Sequence, residues 1–328
     1  MIAAAQLAPG SGFASGAYTI VRPLDAGGMG AVYVALQKAT GHERALKLMR
    51  AQLSSDPKMR KLFEQEARIG AQIESDHVVQ VVDAGVDDAT GSPWLAMELL
   101  KGQDLARRLR GNQTLNLTDF RVLFGQIGHA LTAAHCKSIV HRDMKPENIF
   151  LAEPRQKGLP FFAKILDFGI AKAITQQATD YTIFTERGTL LGTPEYMSPE
   201  QASMDVRDVD TRTDVYSLGV VLYELLSGTL PFESATLRSA GYAEVQRIIR
   251  EVDPPRPSDR AARAARTSEA DAGHRGMRSA DLASTLRGEL DWIVMKALEK
   301  ERDRRYDSPA LLAEDVKRHL RGEAVLAA

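Results

Sequence analysis

Polar and apolar positions alternate in short runs up to about residue 100 and recur at helical spacing through most of the remainder. Period two puts successive side chains on opposite faces of a strand. Tyr18 to Leu24, Ala31 to Leu36 and Glu43 to Leu48 read as three such strands, with Val78 to Val82 and Trp94 to Met97 as two more. One helix interrupts them. Asp56 suits an N-cap and Pro57 the first turn, and Met59, Leu62, Phe63, Gly70 and Ile73 follow on one stripe. Glu66 falls on that stripe, and a buried carboxylate needs a cation because an unpaired buried charge costs several kcal/mol. Lys47, on the third strand, is the natural partner, whereas Glu64 lies off the stripe and reads as solvated.

Beyond residue 100 the pattern becomes helical. Thr118 and Asp119 can cap a helix from Phe120 to about Lys137, whose apolar positions suit a core. Ile149 to Leu151 and Lys164 to Leu166 are strand-like, and a Pro- and Gly-containing turn lies between them. Ala171 to Leu191 lacks apolar periodicity and reads as a mobile loop. Thr213 to Leu226 is apolar almost all round, which places it inside a lobe, and Gly228 suits its stop. Residues 253–288 are rich in Pro, Arg, Ala and Ser and read as a surface insert, extended or partly helical. Helices over Glu289 to Lys300 and Leu311 to Leu320 close the chain. The expected fold is α+β in two lobes: a small antiparallel-sheet lobe at 18–100 and a larger, mainly helical lobe at 101–325.

Composition narrows the class. The 328 residues are 44% apolar and 26% charged, ordinary for a globular chain, and the net charge of -1 gives no reason to expect nucleic acid or an acidic membrane as partner. A single cysteine, Cys136, excludes an internal disulfide and, set among alanines, reads as a small buried residue. No stretch has the eighteen uncharged apolar residues of a membrane span. Residues 1–17 are small and Gly/Ser-rich without the positive start of a secretory signal, so they read as a disordered leader of a cytoplasmic protein.

Chemistry concentrates in His141-Arg142-Asp143-Met144-Lys145-Pro146-Glu147-Asn148. Asp143 could accept a proton from a hydroxyl, Asn148 could hold a metal ion, and Lys145 could neutralise a phosphoryl group between them. The stretch resembles the catalytic loop of the Hanks-type (eukaryotic-like) serine/threonine protein kinases, in their bacterial form. Other motifs of that family follow in order. Asp25-Ala26-Gly27-Gly28-Met29-Gly30-Ala31-Val32 resembles the Gly-rich loop, with Gly27, Gly30 and Val32 matching and Asp25 in place of the first glycine. Ala45 and Lys47 match the Val-Ala-Ile-Lys strand, Asp167-Phe168-Gly169 the magnesium-binding triplet 24 residues after Asp143, and Ser198-Pro199-Glu200 the Ala-Pro-Glu anchor.

The resemblance implies a two-lobed protein kinase fold over about residues 18–320, with ATP and Mg²⁺ as cofactors and Ser or Thr of proteins as phosphoacceptors. It implies that Lys47 and Glu66 pair to position the phosphates, and that Met97 lies behind an adenine site bordered by Glu98 and Leu100. Asn148 and Asp167 would hold the metal, Thr193 would face the peptide, Asp214 would brace the catalytic loop, and Arg305 would pair with Glu200. Arg142 before the catalytic aspartate implies a switch by loop phosphorylation, with Thr185 and Thr189 favoured and a transient homodimer as the vehicle. Two other readings share the fold: a pseudokinase scaffold, favoured only by Asp25, and a small-molecule phosphotransferase, opposed by the Gly192–Glu200 segment. No sensor or extracellular segment is read after the last helix.

Overall fold

The computed structural model describes residues 7–26, 30–49, 57–111, 115–154, 157–168, 193–203, 209–267 and 279–328. The small lobe is a six-stranded antiparallel sheet. Its strands are β1 (Gly12–Phe13), β2 (Tyr18–Ala26), β3 (Gly30–Gln37), β4 (His42–Met49), β5 (Val81–Val86) and β6 (Pro93–Glu98), in the order β1-β2-β3-β4-β6-β5. Helix α1 (Pro57–Gln72) packs against β5 and β6.

Alternation on β4 and β6 divides the lobe's apolar residues between two faces. Ala45, Leu95 and Met97 join Phe63 of α1 on the inner face, while Leu46, Trp94 and Ala96 join Tyr33 and Ala35 on the outer face. The outer face needs a cover, and residues 7–17 provide it. Phe13 is 4% exposed and meets the Trp94 ring edge-on at 6.2 Å, Leu7 packs beside it, and Ser15 Oγ donates to Asp88 at 2.7 Å. The expected disordered leader is therefore corrected over 7–17: burial of the Trp94 face orders it.

The large lobe contains a three-stranded sheet of β7 (Gly102–Asp104), β8 (Ile149–Ala152) and β9 (Phe162–Ile165). Around it lie α2 (Leu105–Arg110), α3 (Leu117–His135), α4 (Pro199–Ala202), α5 (Arg212–Ser227), α6 (Ser234–Ser239), α7 (Tyr242–Glu251), α8 (Pro257–Thr267), α9 (Ser279–Leu286), α10 (Glu289–Ala297) and α11 (Pro309–Arg321). Helix α5 is buried on almost every side, and Gly228 ends it at φ 75°, a left-handed turn that a side chain would strain.

Four other expectations are corrected. The cap of α3 is Asn116, which accepts the Asp119 N–H at 2.9 Å while the Asp119 carboxylate accepts the Asn116 N–H at 3.2 Å; the helix thus starts at Leu117. The fifth strand begins at Val81, because the residues before it bond across to β9: Val79 N donates to Ile165 O at 2.9 Å and Ile165 N to His77 O at 2.8 Å. Cys136 is exposed, since it is the C-cap of α3 rather than part of its buried stripe. The 253–288 stretch is not a mere surface insert: Ala261, Leu282, Ala283 and Leu286 join the main core, and Ser258 Oγ donates to the buried Asp291 at 2.6 Å.

Helix α5 approaches α10 so closely that a Cβ on Gly219 would lie 2.7 Å from the Ala297 Cβ. Gly219→Val is expected to overpack this crossing and lower stability by about 1–3 kcal/mol, read as a reduced urea midpoint at unchanged m-value.

Candidate active site

A cleft of about 350 Å³ opens between the two sheets. Leu24, Val32, Ala45, Met97, Leu100 and Leu166 line its apolar part, and Lys47, Asn148 and Asp167 lie at its polar end. Strand register makes this grouping. Lys47 is opposite Val32 on β3 and Leu95 on β6, and Ala45 is opposite Met97, so residues distant in the chain share one face. Asp25, opposite Val32, also lines the cleft. Gly30 sits where a Cβ would fall 2.1 Å from Leu48 O, so a side chain there would part β3 from β4. Gly27 and Gly28 lie outside the described residues, as does the side chain of Glu66, although its backbone belongs to α1. Lys47 Nζ lies 2.9 Å from Asp167 Oδ2, a contact across the cleft that the strand pattern alone did not foresee.

The catalytic loop hangs from one buried side chain. Asp214, in the first turn of α5, accepts the backbone N–H of His141 at 2.9 Å and that of Arg142 at 2.8 Å, and its Oδ2 lies 2.7 Å from His135 Nε2. These bonds hold Arg142 at φ 65°, a left-handed conformation costly for a residue with a Cβ. His141 is fully buried: Nδ1 accepts the Asp143 N–H at 3.2 Å, Nε2 lies 3.3 Å from Leu166 O, and the ring packs on Phe168 at 4.8 Å. Burial pushes the His141 pKa below the ordinary histidine value, against the opposing pull of Asp214 and Asp143.

Asp143 is thereby presented to Lys145 and Asn148. Lys145 Nζ is 3.0 Å from its Oδ2, and Asn148 Nδ2 donates to its backbone oxygen at 2.7 Å and to Oδ2 at 3.2 Å. With its amide hydrogens directed at Asp143, Asn148 keeps its carboxamide oxygen as an acceptor for a cation. Lys145 also donates to Thr193 Oγ1 at 3.4 Å, which brings the expected peptide-facing threonine to the catalytic loop. Thr185 and Thr189 lie outside the described residues.

Glu200 and Arg305 meet as expected, and every donor of the guanidinium is used. Nη1 and Nη2 each donate to a Glu200 oxygen at 2.8 Å, and the remaining N–H groups reach Glu299 O, Arg212 O and Lys300 O. Burial alone would raise the Glu200 carboxyl, but its bonds and charge pairing with Arg305 outweigh that and hold it below the usual range.

Several contributors went unread in the sequence. Gln201 Nε2 donates to Arg142 O at 2.7 Å, so the anchor helix α4 holds the catalytic loop from the other side. Its signal was available: Ser198-x-x-Gln201 is a capping box, with Ser198 Oγ accepting the Gln201 N–H and Gln201 accepting the Ser198 N–H. Serine at the position of the motif's alanine thus caps α4. Lys164, at the start of the strand-like run before Asp167, is buried with its ammonium 2.5 Å from Glu98 Oε1.

Comparison with known proteins agrees with this geometry. A family model for the protein kinase domain matches residues 18–316. Among curated relatives, the chain is 39% identical over 238 residues to the serine/threonine-protein kinase pkn3 of Myxococcus xanthus, covering 73% of this chain and 42% of that one. It is 35% identical over 299 residues to Pkn1 of the same organism, covering 91% and 38%. It is 36% identical over 248 residues to the serine/threonine-protein kinase PknA of Mycobacterium tuberculosis, covering 75% and 54%. The chain spans about half or less of the length of these relatives. Among solved structures, the PknI kinase domain of M. tuberculosis shares the fold with a TM-score of 0.65 at 24% identity, covering 97% of this chain and all of that one.

Two outcomes follow from the loop geometry. Asp214→Asn exchanges an acceptor oxygen for an NH₂ that must face one of three donors; it is expected to lower stability by about 3 kcal/mol or more in denaturant titration. Because burial lowers the His141 pKa in the folded chain, the unfolded chain binds more protons below about pH 6.5, so stability falls as pH drops through that range. The urea midpoint should therefore decrease between pH 7.5 and pH 5.5, with His77, whose pKa burial also lowers, adding to the slope and His77→Asn reducing it.

Proposed function

Since this chain belongs to the protein kinase family, we infer that it transfers the γ-phosphoryl group of ATP to serine or threonine hydroxyls of proteins. The observation that carries this reading is the Asp143 carboxylate within 3.0 Å of Lys145 and 3.2 Å of Asn148, a residue that itself lines the cleft beside Lys47 and Asp167. The serine/threonine specificity in the names of the relatives supports the choice of phosphoacceptor.

Phosphoryl transfer asks for positioning and charge neutralisation more than for covalent help. Asp143 orients the acceptor hydroxyl and takes its proton, and Lys145 offers a cation to the group in transit. Lys47 offers a cation at the polar end of the cleft, and the apolar walls from Val32 to Met97 suit a purine. The donor set fits Mg²⁺: Asn148 and Asp167 give two hard oxygen ligands, and no group of three or more His, Cys, Asp or Glu among the described residues forms a separate metal cage. Bound there, the ion would neutralise phosphate oxygens of the nucleotide.

Thr193 beside Lys145 places the segment after the loop next to the reacting groups, which supports protein rather than small-molecule acceptors. Phosphorylation of Thr185 or Thr189 within a transient homodimer, and action in the cytoplasm, belong to the same proposal. No helix among the described residues is long and apolar enough to cross a membrane. A scaffold without turnover is disfavoured by the presence of Lys47, Asp143 and Asp167 together.

With Mg²⁺, γ-labelled ATP and a generic protein acceptor, wild type should transfer label to Ser or Thr. Asp143→Asn should lose about 10²–10⁴-fold in kcat, the range of general-base help, while still binding Mg-ATP. Equal labelling by both proteins would remove Asp143 from the chemistry, and binding of Mg-ATP without any turnover by wild type would favour the scaffold.

A further inference from the structure

Two cavities meet at Glu98, where the hinge between the lobes (Glu98 to Leu100) begins, and an ion pair with a buried lysine stands there. One is the nucleotide cleft. The other, of about 580 Å³, includes Ile73, Val78, His129 and Lys164 in its lining, and Glu98 borders both. Glu98 is the last residue of β6 in the small lobe, and Lys164 lies on β9 in the large lobe, three positions before Asp167. The Lys164 side chain is 5% exposed; its ammonium donates to Glu98 Oε1 at 2.5 Å and to Val78 O at 3.3 Å. Glu98 Oε1 also accepts the Gln80 N–H at 2.8 Å, and β9 is stitched to residues 77–79 by two backbone bonds.

Stability does not explain the choice of residues. A buried ion pair seldom exceeds a well-packed apolar pair in stability. The pair differs from an apolar contact in direction: it ties one named point of the hinge to one named point of β9. At Glu98 the small lobe hands over to the segment that borders the base end of the cleft. From Lys164, three residues of extended chain lead to the carboxylate at the polar end, and Leu166 N is fixed to Asn148 O at 2.9 Å. Any change in the hinge-to-β9 distance alters the span between the two ends.

We propose that Lys164 and Glu98 form a positioning pair that sets the span of the cleft, matching it to a nucleotide held at base and phosphates at once. The proposal rests on the kinase reading and assigns Lys164 no contact with the reacting groups.

Calorimetric titration of wild type, Lys164→Met, Lys164→Gln and Lys164→Arg with adenosine and with Mg-ATP separates the two ends. Adenosine engages only the base end, so its Kd should stay within about twofold in every variant, while Mg-ATP should weaken about tenfold in Lys164→Met and Lys164→Gln, a modest share of the 10²-fold in rate that a 1 Å misplacement can cost. Lys164→Arg, which keeps a cation opposite Glu98, should recover most of the affinity. Equal weakening of both ligands would mean a loosened hinge, and no change in either would mean a pair without a role in the span; both overturn the proposal. Should Lys164→Met fail to fold, Lys164→Gln carries the same comparison. Wild type that binds no Mg-ATP overturns the kinase reading instead, before any variant is compared.

Discussion

Two backbone N–H groups and a histidine nitrogen converge on the carboxylate of Asp214, and the catalytic loop takes its shape from them. Arg142 would not adopt a left-handed backbone unaided, because that conformation costs a residue with a Cβ on the order of 1–3 kcal/mol. A fully buried acceptor from α5 compensates, since leaving it without donors would cost at least as much. The turn at Arg142 then sets Asp143 against Lys145 and Asn148 of the same loop. The geometry of the loop thus depends on α5, a helix buried on almost every side.

A second buried anchor closes the same frame from below. Arg305 spends all five N–H groups on Glu200 and three carbonyls, and its guanidinium lies 5.1 Å over the Tyr216 ring of α5. Glu200 belongs to α4, whose Gln201 reaches back to Arg142 O. The catalytic loop is therefore gripped twice, once through its N–H groups by α5 and once through a carbonyl by α4. Loosening either grip leaves the chemistry-bearing side chains present but misaimed.

The small lobe answers a different constraint. A strand has two faces, and here both are apolar: one walls the cleft between the sheets and the other carries Trp94. The sheet cannot leave that second face in water, so the first described residues fold over it. Residues 77–79 are drawn off β5 for a similar reason, because their backbone groups find partners on β9 and join the lobes.

Residue type and order along the chain suffice to mark His141 to Asn148, Lys47, Asp167, Asp214 and the Glu200–Arg305 pair as spaced motifs, and the two-lobed α+β architecture follows from where the hydrophobic period changes. Which groups meet across long separations depends on how the elements pack. Lys47 beside Asp167, Lys164 beneath Glu98, Gln201 on Arg142 and residues 7–17 over Trp94 each join positions that no local period connects. Periodicity says which side of an element is buried; only the packing of one element on another says what it is buried against. A polar group's partner, and hence its function, depends on the latter.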